Sequence, residues 1–144
     1  LVHGVMQPKS GTLRDFLLKD SQRNQVRVFK NQVPGSKTII TSYRTLRTDG
    51  KTSLLEVDLK TGRTHQIRVQ FAHAGWPLLG DTKYGNTTVA GTAGSPAYRG
   101  VALCAYSLDF THPGNGKKMS FRVKPRNPAF EKFTKIPSED IFEG

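Results

Sequence analysis

The sequence predicts an α+β domain in which helices flank a largely antiparallel sheet. Three observations indicate this class. Two long β-rich runs over residues 38–60 flank an Asp-Gly pair, and a second pair of β-rich runs over residues 101–125 flanks the turn HPGNGKK. Between these hairpins, residues 65–74 carry the signals of a helix. The 144 residues have the length of one domain with a single core, so we treat residues 1–144 as one unit.

The N-terminal segment predicts short elements joined by turns. Residues 1–6 resemble the end of a strand. A Thr-x-x-Asp pattern approximates a helical capping box and predicts a short helix over residues 12–20. The run QVRVF, residues 25–29, predicts a strand, and the Pro-Gly pair within residues 30–36 predicts a loop.

The most distinct local signal is the Asp-Gly pair at residues 49–50. This dipeptide tolerates the positive φ angles of a tight hairpin turn, so residues 38–60 are predicted to form a β-hairpin. In the second arm, Leu55, Val57 and Leu59 alternate with acidic residues. We therefore expect these three side chains to face the core and the acidic side chains to face water.

The C-terminal third predicts a loop, a second hairpin and a helix. Residues 86–100 are rich in Gly, Thr, Ser and Ala and are typical of a loop. In the second hairpin, Met119, Phe121 and Val123 are expected to alternate inward. Residues 127–136, NPAFEKFTKI, predict a short helix that closes the chain.

The charge of the chain favours a polyanionic partner. The 22 Lys and Arg residues exceed the 11 Asp and Glu residues, which gives a formal charge of +11 spread along the chain. Such a charge is a property of the folded surface and attracts polyanions. The alternative is a basic, solvated surface without a specific ligand, because charge gives affinity without naming a ligand.

Cysteine content and hydropathy indicate the cellular compartment of the protein. Cys104 is the only cysteine, which excludes a disulfide framework or a cysteine-rich metal site and suits a reducing cytoplasm. No apolar stretch approaches the ~20 residues of a membrane span, and no signal peptide opens the chain. We therefore expect a cytoplasmic protein without a membrane partner.

The helix predicted over residues 65–74 has a start signal and two stop signals. Thr64 is a good N-cap, Gly75 is a good C-terminal cap, and Pro77 follows where a helix could not continue. Alternation of apolar residues in the same segment would also suit a strand, but the caps favour a helix.

Arg68 falls on the apolar face of this predicted helix. At ~100° per residue, Gln66, Gln70 and His73 share a polar side, which is expected to face outward. A buried guanidinium cannot shed its proton and requires an anion, either a carboxylate from elsewhere in the fold or a phosphate. Two plainer alternatives are a core ion pair that only fixes the packing and a side chain that snorkels to solvent.

The two histidines of this segment do not form a metal motif. His65 and His73 are eight residues apart, which is not the spacing of two metal ligands on one helix face, and no carboxylate joins them on the helix. His65 is predicted to cap or orient the turn. Arg63 either offers its charge to a phosphate near the helix N-terminus or is a surface arginine without a specific role.

The run LKTGRTHQIRVQFAHAGWPLLGDTKYG, residues 59–85, resembles the signature of pseudouridine synthases of the large-subunit (RluA) type. That signature is Gly-Arg-(Thr/Ser)-His-Gln-(Ile/Leu)-Arg, then a Gly-(His/Trp)-Pro turn, then Gly-Asp and Tyr-Gly. The flanking runs SLLEVDLK and VALCAYSLDF also resemble the family, so the resemblance covers most of the chain. Trp76 stands where many members have His.

The resemblance implies a mixed β-sheet catalytic domain that isomerises a uridine in structured RNA, ribosomal RNA above all, to pseudouridine without a metal or an organic cofactor. In the family, an aspartate of a His-Arg-Leu-Asp motif is the nucleophile or base, and a tyrosine of a Lys-x-Tyr segment stacks on the flipped base. The resemblance assigns to Arg68 the role of partner to that aspartate. It assigns the site-forming motif to five residues: Arg63, Thr64, His65, Gln66 and Ile67.

The chain departs from the family in one respect. His-Arg-Leu-Asp is absent from the 144 residues, and the seven aspartates lie in other contexts. The opening LVHG resembles the family residues that come directly after the Lys-x-Tyr segment, so we expect 1–144 to be the C-terminal part of a catalytic domain, with a sheet incomplete on its N-terminal side. Such a chain is expected to be inactive alone and to self-associate through uncovered strand edges.

Two other functions are open at this stage. The first is a non-catalytic basic module that binds structured RNA by its shape and phosphates. The second is a structural or interaction fragment whose unpaired edges drive association. A core-facing Arg68 favours the enzyme, because a binding module has no need of an arginine on that side.

Overall fold

The computed structural model describes residues 1–85 and 100–134 and has an α+β fold, as the sequence predicts. Its strands, numbered β1 to β7, span Val2–His3, Ser10–Asp20, Gln25–Phe29, Lys37–Thr48, Thr52–Leu59, Ser107–Thr111 and Lys118–Arg122. Helix α1 spans Gln66–His73, a 3-10 turn spans Pro128–Phe130, and helix α2 spans Glu131–Thr134. The first five strands form one sheet in the order β1-β5-β4-β2-β3, and β6 pairs with β7 in a second sheet. Every described strand pair is antiparallel.

The predicted hairpin around residues 49–50 is confirmed as strands β4 and β5. Gly50 has a φ of +88°, and the Asp49 carboxylate accepts hydrogen bonds from the backbone N–H groups of Lys51 and Thr52. A bulge interrupts the ladder between Thr45 and Arg47. Turn chemistry within four residues is sufficient to fix this element, which is why the sequence reveals it.

The inward face of β5 is only partly as expected. Leu55 and Val57 are half-buried and pack on the cluster of Tyr43 and Phe71, whereas Leu59 is 46% exposed. Leu59 is the last residue of the strand and extends past the packed part of the sheet.

The helix predicted over residues 12–20 is wrong, because this segment belongs to strand β2. It pairs with β4 on one side and with β3 on the other. Asp15 and Leu17 are buried while Arg14 is exposed, which is the period of two of a strand. Two neighbouring strands satisfy its backbone groups, and this tertiary pairing outweighs a local capping pattern.

The second hairpin is confirmed, but its inward side is not. Phe121 is 50% and Val123 is 56% exposed, so the expectation that they face inward is wrong. Strand β6 begins only at Ser107, and among the described residues no layer covers the apolar side of this two-stranded sheet. The rings of Phe110 and Phe121 stack there, with centroids 6.0 Å apart.

The predicted C-terminal helix is confirmed for the residues that the structure describes, which end at Thr134. Asn127 accepts a hydrogen bond from the Ala129 N–H and caps the 3-10 turn that leads into α2. The loop predicted over residues 86–100 lies outside the described residues, apart from Gly100.

Helix α1 packs on one face of the five-stranded sheet. Val69 joins Leu17, Val26 and Ile39 in one cluster, and Phe71 meets the Tyr43 ring edge-on at 5.9 Å. The sheet therefore supplies a firm base for the helix that carries the signature. Within the described ranges no helix is long and apolar enough to cross a membrane, and no group of three metal-binding side chains is present.

Candidate functional site

Helix α1 begins at Gln66, after a turn that differs from the expected one. The N-cap is His65, which has a left-handed backbone with φ of 52° and makes no side-chain capping bond. The prediction that Thr64 caps the helix is therefore wrong, and its side chain is exposed. Instead, the Gln66 side chain accepts a hydrogen bond from the Arg63 N–H at 3.0 Å. At the other end Gly75, with φ of +98°, follows the last turn as predicted.

The two glutamines of the signature face the sheet, which corrects the expectation that they face outward. Gln66 is 3% exposed and Gln70 is fully buried. The Gln66 Nε2 donates to Thr41 Oγ1 at 2.9 Å, Thr41 Oγ1 donates to Gln70 Oε1 at 2.5 Å, and Gln70 Nε2 donates to Asp15 Oδ2 at 2.8 Å. Because the sheet presents polar side chains under the helix, the polar face of the helix turns inward.

Arg68 forms a bidentate ion pair with Asp81. Its Nε lies 3.0 Å from Asp81 Oδ2 and its Nη2 lies 2.9 Å from Oδ1. The Arg68 side chain is 21% exposed, so it is only half-buried and not core-facing as expected, whereas that of Asp81 is 1% exposed. Of the two anions that the sequence left open, the structure therefore provides a carboxylate from elsewhere in the fold. Nη1 makes no hydrogen bond to the residues that the structure describes, so part of the guanidinium stays available.

Backbone groups hold the Asp81 carboxylate from its other side. Oδ1 also accepts hydrogen bonds from the N–H groups of Lys83 and Tyr84, each at 3.1 Å. Burial acts to raise the pKa of Asp81, but the hydrogen bond from Arg68 and the two amides together lower this pKa below its usual value. The hydrogen bond to Asp81 in turn raises the pKa of Arg68. Asp81 thus stays ionised and fixes the plane of the guanidinium.

Tyr84 connects Arg68 to His65. The Arg68 guanidinium carbon lies 5.2 Å from the centre of the Tyr84 ring, a cation–π contact. The Tyr84 hydroxyl lies 2.8 Å from His65 Nδ1, and the two rings meet edge-on at 5.5 Å. Burial lowers the pKa of His65, and the nearby Arg68 lowers it further. Burial also raises the pKa of Tyr84.

The structure separates the residues that the sequence placed in one motif. His65 and Arg68 meet at Tyr84, whereas Arg63 is exposed and Gln66 turns into the sheet. Ile67 is half-buried and packs with the Phe71 cluster. Sequence reasoning did not assign roles to Asp81 or Tyr84, although the Gly-Asp and Tyr-Gly pairs of the signature contain both.

A cleft of about 850 Å³ lies on the other side of α1. At its rim, the Tyr106 hydroxyl donates to Glu56, and burial together with Glu56 raises the pKa of Tyr106 to about 12. The cleft is lined mainly by apolar side chains, among them Leu1, Leu55, Val57, Ile67, Phe71 and Leu108. It offers a mainly apolar wall beside the signature helix.

The fold is that of a pseudouridine synthase. The chain superposes on the solved human RNA pseudouridylate synthase domain containing 1 with a TM-score of 0.72, covering 91% of this chain and 55% of that chain at 23% identity. This likeness establishes the fold alone.

The sequence establishes the family. The family profile described as RNA pseudouridylate synthase matches residues 2–73. The chain therefore belongs to the RNA pseudouridylate synthase family. It is 34% identical over 132 residues to an uncharacterized RNA pseudouridine synthase of Chlorobaculum parvum, covering 84% of this chain and 40% of that protein. It is also 34% identical over 134 residues to the ribosomal large subunit pseudouridine synthase C of Buchnera aphidicola, covering 92% of this chain and 42% of that protein. The chain thus spans about two fifths of the length of these curated relatives.

Proposed function

We propose that this chain is part of an enzyme that isomerises a uridine of ribosomal RNA to pseudouridine through an aspartate that precedes Leu1 in the polypeptide. The observation that carries the proposal is the state of Arg68. Two of its nitrogens are held by Asp81, and the third, Nη1, makes no bond to the described residues. A fixed guanidinium with one edge available suits a second carboxylate.

Arg68 orients the catalytic aspartate and keeps it ionised. A carboxylate beside a guanidinium has a lowered pKa, which the reaction requires whether the aspartate acts as nucleophile or as base. Asp81 neutralises part of the charge on Arg68 and fixes its plane, so the second carboxylate meets a preset geometry. The apolar cleft lined by Ile67 lies on the other side of the helix and offers an apolar surface for the uridine that leaves the RNA stack.

RNA binding depends on the basic surface. A stacked uridine must leave the helix before its glycosidic bond is broken, at a cost of a few kcal/mol. Phosphate contacts offset this cost, and the formal charge of +11 supplies them. Arg63 and Thr64 are exposed at the start of α1 and are proposed to contact the RNA. The proposal of a ribosomal substrate follows the name of the Buchnera relative. Cys104 is not in a disulfide, which suits a protein of the reducing cytoplasm.

The proposed reaction uses protein side chains alone. The reaction needs no redox cofactor, because neither proton transfer at the aspartate nor rotation of the detached base changes an oxidation state. Arg68 supplies the positive charge that a metal would otherwise provide. The longer protein, with its upstream sequence, should therefore form pseudouridine in ribosomal RNA with and without a chelator. Residues 1–144 alone should form none. Loss of activity on chelation would contradict the metal-free mechanism.

A second candidate function is a non-catalytic RNA-binding module, which the charge of +11 also favours. Both candidates bind RNA, but only the enzyme forms pseudouridine. A longer protein that binds ribosomal RNA yet forms no pseudouridine in any of its uridines would support the module and contradict the enzyme.

A further inference from the structure

His65 has a backbone conformation that most side chains avoid. Its φ is 52°, and among the described residues other than glycine only Asn24 shares a positive φ. Glycine adopts this region freely, whereas an imidazole there carries backbone strain. The side chain makes no bond that caps helix α1. Folding of the helix therefore does not explain why an imidazole occupies this position.

Tyr84 fixes the orientation of the imidazole. Its hydroxyl lies 2.8 Å from Nδ1, and its ring is held under the Arg68 guanidinium, which Asp81 fixes in turn. These four side chains form one connected cluster. The strained residue is thus connected through Tyr84 to the Arg68–Asp81 ion pair.

The same contact favours one tautomer of His65. Burial raises the pKa of Tyr84, so the phenol keeps its proton at neutral pH. A phenolic O–H is a good donor and an imidazole nitrogen a good acceptor, which favours the direction from Tyr84 to Nδ1. Nε2 then carries the ring proton. It makes no hydrogen bond to any residue that the structure describes, and the residue is half-buried, not enclosed.

We propose that the Nε2–H of His65 donates a hydrogen bond to a phosphate oxygen of the RNA beside Arg68, and that Tyr84 is the positioning residue that sets its tautomer. The inference rests on the proposed function, since it requires RNA as the ligand. A base carbonyl would offer the same acceptor chemistry. The phosphate is favoured because three positive charges, those of Arg68, Lys83 and Lys19, act on His65 against the one negative charge of Asp81, and this excess attracts the more negative oxygen.

The binding test uses the 144-residue chain and two fluorescein-labelled probes, a 12-nucleotide oligo(U) and a 12-nucleotide oligo(C), followed by anisotropy. His65→Gly should weaken binding to both probes about fivefold, the worth of one hydrogen bond. Its thermal midpoint should stay equal to or exceed that of the wild type, because glycine relieves the strain. The matched control is His73→Ala, which removes an exposed histidine of the same helix and should change neither quantity.

A second variant tests the role of Tyr84. Nitrogen-15 NMR should show the Nε2–H tautomer of His65 in the wild type. Tyr84→Phe keeps the ring under Arg68 but removes the hydroxyl, so the tautomers should mix and both probes should bind about twofold more weakly. An unchanged tautomer in this variant would overturn the positioning role.

The outcomes separate this inference from the proposed function. Unchanged affinity in His65→Gly would overturn the inference alone, as would a loss confined to oligo(U), which would indicate the O4 carbonyl that uracil has and cytosine lacks. A marked drop in the thermal midpoint of His65→Gly would show that the imidazole serves the fold. Failure of the wild-type chain to bind either probe at low salt would instead contradict the RNA partner of the proposed function.

Discussion

Arg68 and Asp81 are joined by two parallel hydrogen bonds, Nε to Oδ2 at 3.0 Å and Nη2 to Oδ1 at 2.9 Å. The pair links helix α1 to the turn that follows Leu79, and the two partners differ in exposure, 21% for Arg68 and 1% for Asp81. That asymmetry leads to unequal costs when either partner is removed.

Removal of the arginine should cost more than removal of the aspartate. Arg68→Ala leaves a buried carboxylate without its partner and should lower the free energy of unfolding by ~3 kcal/mol. Asp81→Ala leaves a guanidinium that can turn to solvent, so the loss should be nearer ~1 to 2 kcal/mol. Arg68→Lys keeps the charge and loses the planar fork, and should fall between wild type and Arg68→Ala. Urea unfolding at pH 7 measures all three. Equal losses for the two alanine variants would contradict the asymmetry.

Acid should weaken the fold through Asp81. Its pKa is lower in the folded chain than in the unfolded chain, so its stabilising contribution is complete above the unfolded pKa of ~3.9. The contribution is lost as the pH falls through the folded value. Urea unfolding between pH 6 and pH 2 should therefore show a shallower pH dependence for Asp81→Asn than for wild type. Asp58→Asn, at an exposed position, is the control for the loss of one carboxylate.

The chain of buried hydrogen bonds through Gln70 should stabilise the fold, although its side chains are polar. Gln70→Leu removes the partner of both Thr41 and Asp15 and should cost ~1 to 3 kcal/mol. Gln70→Glu places a second carboxylate against Asp15 and should be more destabilising at pH 7 than at pH 4. His73→Ala on the exposed side should change stability by less than ~0.5 kcal/mol. A neutral Gln70→Leu would show that the chain of hydrogen bonds does not hold the helix on the sheet.

The apolar side of the second hairpin should promote self-association. Leu108 is 59% and Phe121 is 50% exposed, and the two residues face each other across the strands. Size-exclusion chromatography of the 144-residue chain should show an apparent mass that rises with concentration. The double substitution Leu108→Thr and Phe121→Thr should reduce that rise. A monomer at all concentrations would contradict the prediction.

Local chemistry made part of this fold predictable. The turn at Asp49 and Gly50 and the stop at Gly75 depend on φ angles that few residues adopt, so the sequence reveals them. The Thr-x-x-Asp pattern of strand β2 predicts a helix because that pattern is local, whereas the pairing of β2 with β3 and β4 is not. No window of sequence around residues 12–20 contains those partners.

The site divides in the same way. The sequence predicts that Arg68 requires an anion, and the structure provides one, although Arg68 is 21% exposed beside Tyr84 and not enclosed by apolar residues. The identity of that anion depends on a turn that brings Asp81 back to the helix, 13 residues on. The outward placement of Gln66 and Gln70 failed for a related reason. A helical wheel shows which side of a helix is polar, but it does not show that Thr41 and Asp15 lie on the sheet beneath the helix.

Tritium release from ribosomal RNA labelled at the uridine 5 position tests the central claim most directly. The longer protein should release tritium, and its Arg68→Ala variant should do so at least about a hundredfold more slowly, because the aspartate loses its oriented counter-charge. Arg68→Lys should retain intermediate activity. Arg122→Ala, which removes an exposed partner of Asp109 on the second hairpin, should remain near wild type. Full activity in Arg68→Ala, or tritium release by residues 1–144 alone, would contradict the account.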